Sequence, residues 1–522
     1  MAREIDCFYV TKSRTRKRRN LFVFIIFLVI TVAIFRKLFL PKYSDDPKIE
    51  NFMRDWCRVR KASVDWEEIL RPCDGMTAWG TNAKGLRQDQ RTDPDLSLIL
   101  LWDIRPAGEF SKFSIQSKTA KGEVKSIGGD SWRVHLIGPS SVAATLFDHT
   151  NGTYEVLFLV TVPGVYAVDV VLDYSLCDGY TDPPPNWFKT GNSQGKYQKE
   201  GILGSTKNRP FLFKKLWGGS PITITIPSPA TKGPSVLSAV MAKKDHLDLN
   251  CGFECNKLWD GFGNWVAIGN TIQWKPFVPG DDKPTNPNWI GDRVRKNSIL
   301  WIYGDSVSEQ FYSGIRQHPL CSRVFRWCGH TYNWVYRLNG NLTMAKSQDD
   351  DLDFDDVRVI NELDDVISNS IFDKNSAILV NAGLHYLESS NFTNYKKVVD
   401  GIIRLFQRDK LGGGDLEVKV FPGEMIWKTT TSLYKDKLDS KHLQARRFLT
   451  AQRVLLFNAY ATQAMCRAGF KVIDVFPLTD SYPHGTGKPE RPKDAVHYQH
   501  FVFESVERLL EEFFIRTTTH AQ

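Results

Sequence analysis

Apolar and polar positions change period along this chain, and each period predicts a different element. Between residues 154 and 172 the apolar positions alternate: Tyr154, Val156, Phe158 and Val160, then, beyond Pro163-Gly164, Tyr166, Val168, Val170 and Leu172. A period of two on either side of a turn predicts a β-hairpin with one buried face. Strand-like runs at Leu96–Ile104 and Ser131–Gly138 extend this to a β-sandwich over residues 91–240. At Ile299–Tyr303 the apolar run becomes continuous, as in a strand covered on both faces, and Val307, Phe311 and Ile315 follow at helical spacing. Strand and helix then alternate: strands at Ser376–Val380, Leu416–Phe421 and Phe470–Phe476, helices at Tyr395–Arg408, His442–Ala468 (stopped by Gly469) and Tyr498–Phe514. Such alternation predicts an α/β three-layer domain over residues 298–522, with ligands outside the carboxyl ends of its parallel strands.

The longest apolar run, Leu21–Phe35, changes the picture from two domains to a multidomain membrane protein. With Arg36 and Lys37 snorkelling, Leu21–Leu40 has the roughly 20 residues a single transmembrane helix needs. A cleaved signal peptide is the competing reading, but no small-residue cleavage site follows. The expectation is a type II signal-anchor in a Golgi or other secretory-pathway membrane, with residues 1–20 a cytosolic basic tail, 21–40 the membrane span and 41–90 a lumenal stem. The net charge of +9 fits this: Arg3, Lys12, Arg14, Arg16, Lys17, Arg18 and Arg19 all precede residue 20, so the basic excess is a topology signal and no nucleic-acid partner is expected.

Cys7 falls in the tail, leaving Cys57, Cys73, Cys177, Cys251, Cys255, Cys321, Cys328 and Cys466 as an even set of disulfide candidates in an oxidising compartment. The spacings Cys251-x3-Cys255 and Cys321-x6-Cys328 do not repeat a zinc pattern, and no metal is expected. Asn151, Asn341 and Asn391 head glycosylation sequons. Residues 241–297 form a Cys/Trp-rich connection. Its Trp259, Trp265 and Trp274 either stack on sugar rings or, more commonly, pack a disulfide-pinned loop, and the Pro-, Asp- and Asn-rich stretch after them reads as surface.

Candidate chemistry sits at three predicted strand ends. Gly304-Asp305-Ser306 is the turn from strand to helix, where Ser306 lies beside unpaired helix N–H groups that stabilise an oxyanion; the alternative is that Asp305 or Ser306 only caps the helix. Asn381, Gly383 and His385 follow the next strand. Asp494-x-x-His497 precedes the last helix at a spacing that sets a carboxylate against an imidazole, with His500 and His385 as substitute bases.

These residues together resemble the SGNH/GDSL hydrolase superfamily. The Gly152-Thr153-Tyr154-x-Val156 and Pro163-Gly164-x-Tyr166-x-Val168-x-Val170 patterns resemble a filamin-type immunoglobulin repeat, and the two domains in this order resemble the neurexophilin and PC-esterase domain family, from about residue 50 to 515. The resemblance implies Ser306 as nucleophile, His497 as base and Asp494 as its orienter. It also implies oxyanion donors at the Ser306 N–H, flanked by Gly304 and Asp305, and in the segment Asn381 to His385. The chain departs from the G-x-N-D third block in having Asn381-Ala-Gly383-Leu-His385, nearer an N-x-G-H form, and it shows no clear second-block glycine, Gly329 in WCGHTYN being only a guess. The implied function is a lumenal O-acyltransferase or esterase, most of all for acetyl groups on glycan hydroxyls. The acceptor, sugar or water, decides between the two. No cofactor is bound, although a transferase takes an acyl donor such as acetyl-CoA. The competing reading is a catalytically inactive glycan- or protein-binding membrane protein. The oligomeric state stays open.

Overall fold

The computed structural model describes residues 46–80, 88–184, 210–229, 233–253, 255, 257–278, 295–333, 337–338, 344–345, 355–408 and 420–519. The chain falls into two units, Met1–Met53 and Arg54–Gln522, divided inside helix α1 (Pro47–Ala62). The expected transmembrane helix is corrected here. Among the described residues no helix is long and apolar enough to cross a membrane. Even α1, with 16 residues, is too short and is charged throughout. The segment Leu21–Leu40 itself lies outside the described residues.

The sandwich is built from β1 (Thr92–Asp103), β2 (Phe110–Thr119), β3 (Ser131–Ile137), β4 (Ser140–Ala143), β5 (Thr145–Asp148), β6 (Thr153–Leu159), β7 (Gly164–Tyr174), β8 (Lys214–Lys215) and β9 (Thr223–Ile226). One sheet runs β1-β2-β6-β5, and the other contains β4-β3-β7-β8, with β9 also on β7. The alternating residues of β6 and β7 supply its core: Tyr154, Val156, Phe158, Tyr166, Val168, Val170 and Leu172 are all buried, facing Phe113, Trp132 and Leu136.

Residues 241–297, read from the sequence as a connection, instead contribute strands to both domains. A hairpin of β11 (Gly263–Ile268) and β12 (Thr271–Pro276) extends the sandwich sheet, β11 lying antiparallel to β4 with Trp265 opposite Ser141. Just before it, β10 (Lys257–Trp259) becomes the edge of the second domain's sheet. Trp265 and Trp274 are core residues, 3% and 5% exposed, and Trp265 Nε1 donates to the Leu478 carbonyl at 2.9 Å. Their rings cannot serve as an open sugar platform.

The second domain is a six-stranded sheet, parallel throughout, in the order β10-β19-β18-β17-β13-β14. Its strands are β13 (Arg295–Gly304), β14 (Phe325–Tyr332), β17 (Ala377–Val380), β18 (Glu424–Lys428) and β19 (Lys471–Ile473), with a small hairpin β15 (Arg337–Leu338) and β16 (Met344–Ala345) set apart. After the short helices α2 (Trp66–Leu70) and α3 (Val236–Ala242), its helices are α4 (Ser306–Ile315), α5 (Asp356–Ile367), α6 (Leu384–Ser389), α7 (Phe392–Phe406), α8 (Ser440–Ala445), α9 (Ala451–Arg467), α10 (Phe476–Asp480) and α11 (Glu504–Thr519). The chain steps from β13 to β14, then reverses through β17, β18 and β19. Right-handed crossovers therefore put α4 on one face and α5, α7 and α9 on the other. The reversal makes the carboxyl end of β13 the switch point, where side chains of both neighbouring strands converge around a crevice.

Several expected elements shift, each for a local reason. The strand expected at Leu416–Phe421 falls partly outside the described residues, and the observed one is β18, after Pro422-Gly423. The long helix expected at His442–Ala468 is two helices. Thr450 interrupts it: its hydroxyl accepts the Arg453 N–H at 3.1 Å as the cap of α9 and donates to the Gly179 carbonyl of the sandwich at 2.6 Å. The last helix starts at Glu504 because Tyr498 is turned inward, its hydroxyl donating to the Ser432 carbonyl at 2.9 Å.

All eight expected cysteines are paired: Cys57–Cys251, Cys73–Cys177, Cys255–Cys466 and Cys321–Cys328. Three of the bridges close loops of more than a hundred residues, the kind that most restricts the unfolded chain, typically by roughly 2–4 kcal/mol each. Of the sequons, Asn151 is exposed in a hairpin turn, Asn391 is half-buried and caps α7, and Asn341 lies outside the described residues.

Candidate active site

The site starts from the turn after β13. Asp305 caps α4, one carboxylate oxygen accepting the Val307 N–H at 3.0 Å and the other the Leu384 N–H of α6 at 2.7 Å. It is 1% exposed, so this one side chain fixes the β13 turn to the end of β17. Gly383 permits the approach: a Cβ there would lie 2.4 Å from both the Asp305 carboxylate and the Asn381 amide oxygen. Asp305 is the capping residue, and Ser306, the first residue of α4, is half-buried with its Oγ free for other work. As the first residue of the helix it has an N–H without an intrahelical acceptor, at the positive end of the helix dipole.

His497 reaches Ser306 from the loop before α11. His497 Nε2 lies 2.9 Å from Ser306 Oγ, and Nδ1 lies 2.7 Å from Asp494 Oδ2. The other Asp494 oxygen accepts the N–H groups of Val496 and His497, both at 3.0 Å, so the carboxylate is held by the local turn as well as by the ring. The loop is tied down on either side: Gly487 N–H donates to the His497 carbonyl at 2.7 Å, Tyr434 N–H to the Ala495 carbonyl at 2.9 Å, and the Gln310 amide of α4 to the Tyr498 carbonyl. Partial burial pulls the Asp494 carboxyl up, but the hydrogen bonds from His497 and the two backbone N–H groups outweigh it and hold it at about 2.

This arrangement sets a pH dependence. A carboxyl held below its ordinary 3.8 stabilises the fold fully above that value, and the contribution is lost as pH falls through about 2. The denaturation midpoint of the wild type is therefore expected to fall more steeply than that of Asp494→Asn between about pH 4 and about pH 2, measured by urea titration at each pH.

The other candidates fall into place around this trio. His500 does not face Ser306; its Nε2 meets Glu507 Oε1 at 2.7 Å, a contact that raises its pKa, and its ring packs where a Cβ on Gly314 would be. Asn381 is 3% exposed and spends both amide protons inside the protein, on the Lys428 carbonyl at 2.9 Å and Thr430 Oγ1 at 3.2 Å. Gly304 sits in the core of the turn, with no room for a Cβ beside Ser308. Gly329 is in mid-strand on β14, opposite Trp301, whose ring fills the space above it. His385 is half-buried in the first turn of α6, and its Nε2 lies 2.8 Å from the Tyr332 hydroxyl. Burial drives the His385 imidazole down to about 4, so it is neutral at ordinary pH.

Sequence reasoning missed Tyr332 and Asn333. Tyr332 ends β14 opposite Gly304 and Asn333 follows it, its side chain reaching across to donate to the Asn381 carbonyl. The available signal was their place at the end of a parallel strand adjacent to β13, which the WCGHTYN run does not disclose until the register is known.

Comparison with known proteins gives one family match: residues 93–176 match the filamin/ABP280 repeat, the stretch that carries β1 to β7 of the sandwich. No curated protein matches the chain. Among solved structures, the Lin-41 filamin domain is similar at 17% identity and a TM-score of 0.14, covering 16% of this chain and 82% of that one. A carbohydrate acetylesterase family member from Sinorhizobium meliloti is similar at 16% identity and a TM-score of 0.29, covering 42% of this chain and 98% of that one. A GDSL-like lipase from Bacteroides thetaiotaomicron is similar at 11% identity and 0.27, covering 42% and 90%.

Proposed function

We propose that the chain is a serine-dependent O-acyltransferase or esterase, acting most of all on acetyl groups of glycans in the secretory pathway. The observation that carries this reading is the hydrogen-bonded line Asp494–His497–Ser306 at the switch point of a parallel sheet. In such a site Ser306 Oγ attacks the ester carbonyl, its proton passing to His497 Nε2. The developing oxyanion is received by the Ser306 N–H, and Asp494 stabilises the imidazolium. Collapse of the adduct expels the donor alcohol, or the thiol of a donor such as acetyl-CoA, which takes the proton from His497. A second hydroxyl, of sugar or water, then gives its proton to His497 and attacks the acyl-enzyme, and Ser306 Oγ leaves the acyl carbon as that proton returns to it. A sugar acceptor makes the protein a transferase and water makes it an esterase.

Four disulfides and the exposed Asn151 sequon support a lumenal or extracellular setting. The family resemblance in the sequence supports glycan as the acceptor. Glycan mass spectrometry of cells expressing the wild type or Ser306→Ala tests the reading. A change of one acetyl unit per modified sugar with the wild type alone is expected, as a gain for a transferase and a loss for an esterase. Identical glycan profiles in the two lines would overturn it in favour of a binding protein.

A further inference from the structure

We propose that the sandwich holds the catalytic base in line with Ser306, and that Tyr434 is the positioning residue that carries this hold to the Asp494–His497 turn. This rests on the acyl-enzyme reading above and gives the sandwich a part in it.

The two domains meet at the end of α10. Trp265 Nε1 of β11 donates to the Leu478 carbonyl at 2.9 Å, His135 Nε2 of β3 to the Asp480 carbonyl at 3.1 Å, and Ser141 Oγ of β4 to the Ser481 carbonyl at 2.9 Å. The Ala143 N–H adds a bond to Ser481 Oγ at 3.0 Å. Three strands of one sheet thus hold the stretch from Leu478 to Ser481. A helix of five residues has little stability of its own, so contacts of this kind set its place.

The same stretch also holds the base. Tyr434 Oη shares its proton between the Asp480 and Tyr482 carbonyls, each at 3.2 Å, while the Tyr434 N–H donates to the Ala495 carbonyl, inside the Asp494–His497 turn, at 2.9 Å. Tyr498, next after His497, places its hydroxyl 2.9 Å from the Ser432 carbonyl and 3.2 Å from the Thr479 carbonyl. Ser432 is itself fixed to α10, its N–H donating to Thr479 Oγ1 at 3.0 Å and its Oγ to Asp480 Oδ1 at 2.7 Å. Residues on both sides of His497 are therefore tied to α10 and, through it, to the sandwich. The Tyr434 ring is confined as well: the His135 ring stacks on it with centroids 6.4 Å apart, and a Cβ on Gly485 would lie 3.0 Å from it.

The turn that carries His497 belongs to neither helix nor strand, so its bonds to neighbouring segments fix it in space. Proton transfer needs His497 Nε2 to stay at its 2.9 Å from Ser306 Oγ, and a displacement of about 1 Å costs up to about 10² in rate. Tyr434 bonds to the main chain of the turn and acts on the imidazole through it.

The test is the rate at which a serine-directed phosphonate labels Ser306 in the folded full chain, followed by peptide mass spectrometry over a range of reagent concentrations. Tyr434→Phe loses the Oη bonds and keeps the N–H. It is expected to lower the limiting labelling rate by about 10–10²-fold at an unchanged half-saturating concentration, because the reagent still binds while the base is displaced. Ser141→Ala is expected to lower the rate less, and the two changes together to be no worse than Tyr434→Phe alone, as for links of one chain of contacts. Val156→Ala, in the sandwich core on the other sheet, is expected to lower the denaturation midpoint and leave the rate unchanged. A rate that simply follows the midpoint across these variants would overturn the proposal. If the wild type labels Ser306 no faster than His497→Ala does, the acyl-enzyme reading fails and this one falls with it. If that difference is present while Tyr434→Phe, with a wild-type midpoint, labels at the wild-type rate, the positioning assignment alone is overturned. Should Tyr434→Phe fail to fold, Ser141→Ala decides: a wild-type rate overturns the assignment, and a lower limiting rate at unchanged half-saturation supports it.

Discussion

Ser306→Ala and His497→Ala are each expected to abolish turnover, and the double variant to be little worse than either. The reason is geometric. Among the described residues the proton acceptor at Ser306 Oγ is His497 Nε2, at 2.9 Å, so removing either partner removes the same event. Residues acting as one unit show such non-additivity, with losses reaching about 10⁶ in kcat. Asp494→Asn should fall between these variants and the wild type, because the local turn keeps an amide in place while the charge that stabilises imidazolium is gone. Ser306→Ala deletes no large buried apolar group, so its denaturation midpoint at neutral pH should stay near the wild type, whereas His497→Ala and Asp494→Asn remain folded but give up the stabilisation that holds the Asp494 carboxyl low and should show a lower midpoint. Activities multiplying independently in the double variant would mean that Ser306 and His497 do not share a proton.

The largest expected effect on stability lies at Arg453. This side chain of α9 is fully buried and donates to four acceptors: the Leu387 carbonyl at 3.0 Å, the Ser390 carbonyl at 2.6 Å, the Thr181 carbonyl at 3.3 Å and Asp182 Oδ1 at 2.6 Å. Asp182 in turn accepts the Phe392 N–H at 3.0 Å at the start of α7. The guanidinium therefore joins the exit of the sandwich to the end of α6, the helix that carries His385. Arg453→Met removes the charge but keeps much of the volume, leaving the Asp182 carboxylate buried without its partner. A loss of about 3–5 kcal/mol is expected, read as a lower denaturant midpoint at unchanged slope. The paired change Arg453→Met with Asp182→Leu should recover part of it, since it removes the orphaned charge. A single variant within about 0.5 kcal/mol of wild type would mean the cluster is not a structural brace.

What the sequence made legible is what is local. The apolar run into Gly304-Asp305-Ser306, the helical spacing of Val307, Phe311 and Ile315, and the Asp494-x-x-His497 turn each need only a few neighbouring residues to read. The alternating residues of β6 and β7 are of the same kind. Contacts across long separations were not legible. The strands contributed by residues 257–276 look like a Trp-rich loop because each is short, and β10 finds its partner in the second domain while the β11–β12 hairpin joins the sandwich. The break at Thr450 is invisible for a similar reason: its second bond goes to Gly179, 271 residues earlier. The role of Asn381 was obscured because a side-chain amide at a strand end can face either the crevice or the next strand, and only the register with β18 shows that it faces inward.

The most direct test of the central claim is to treat the folded full-length chain with a serine-directed phosphonate and map the adduct by peptide mass spectrometry. The arrangement of Asp494, His497 and Ser306 predicts a single adduct on Ser306 in the wild type and none in His497→Ala, because an unactivated serine hydroxyl does not react. An unmodified Ser306 in a folded wild-type chain, or equal labelling with and without the His497 imidazole, would contradict it and leave Ser306 as the first residue of a helix in a binding domain.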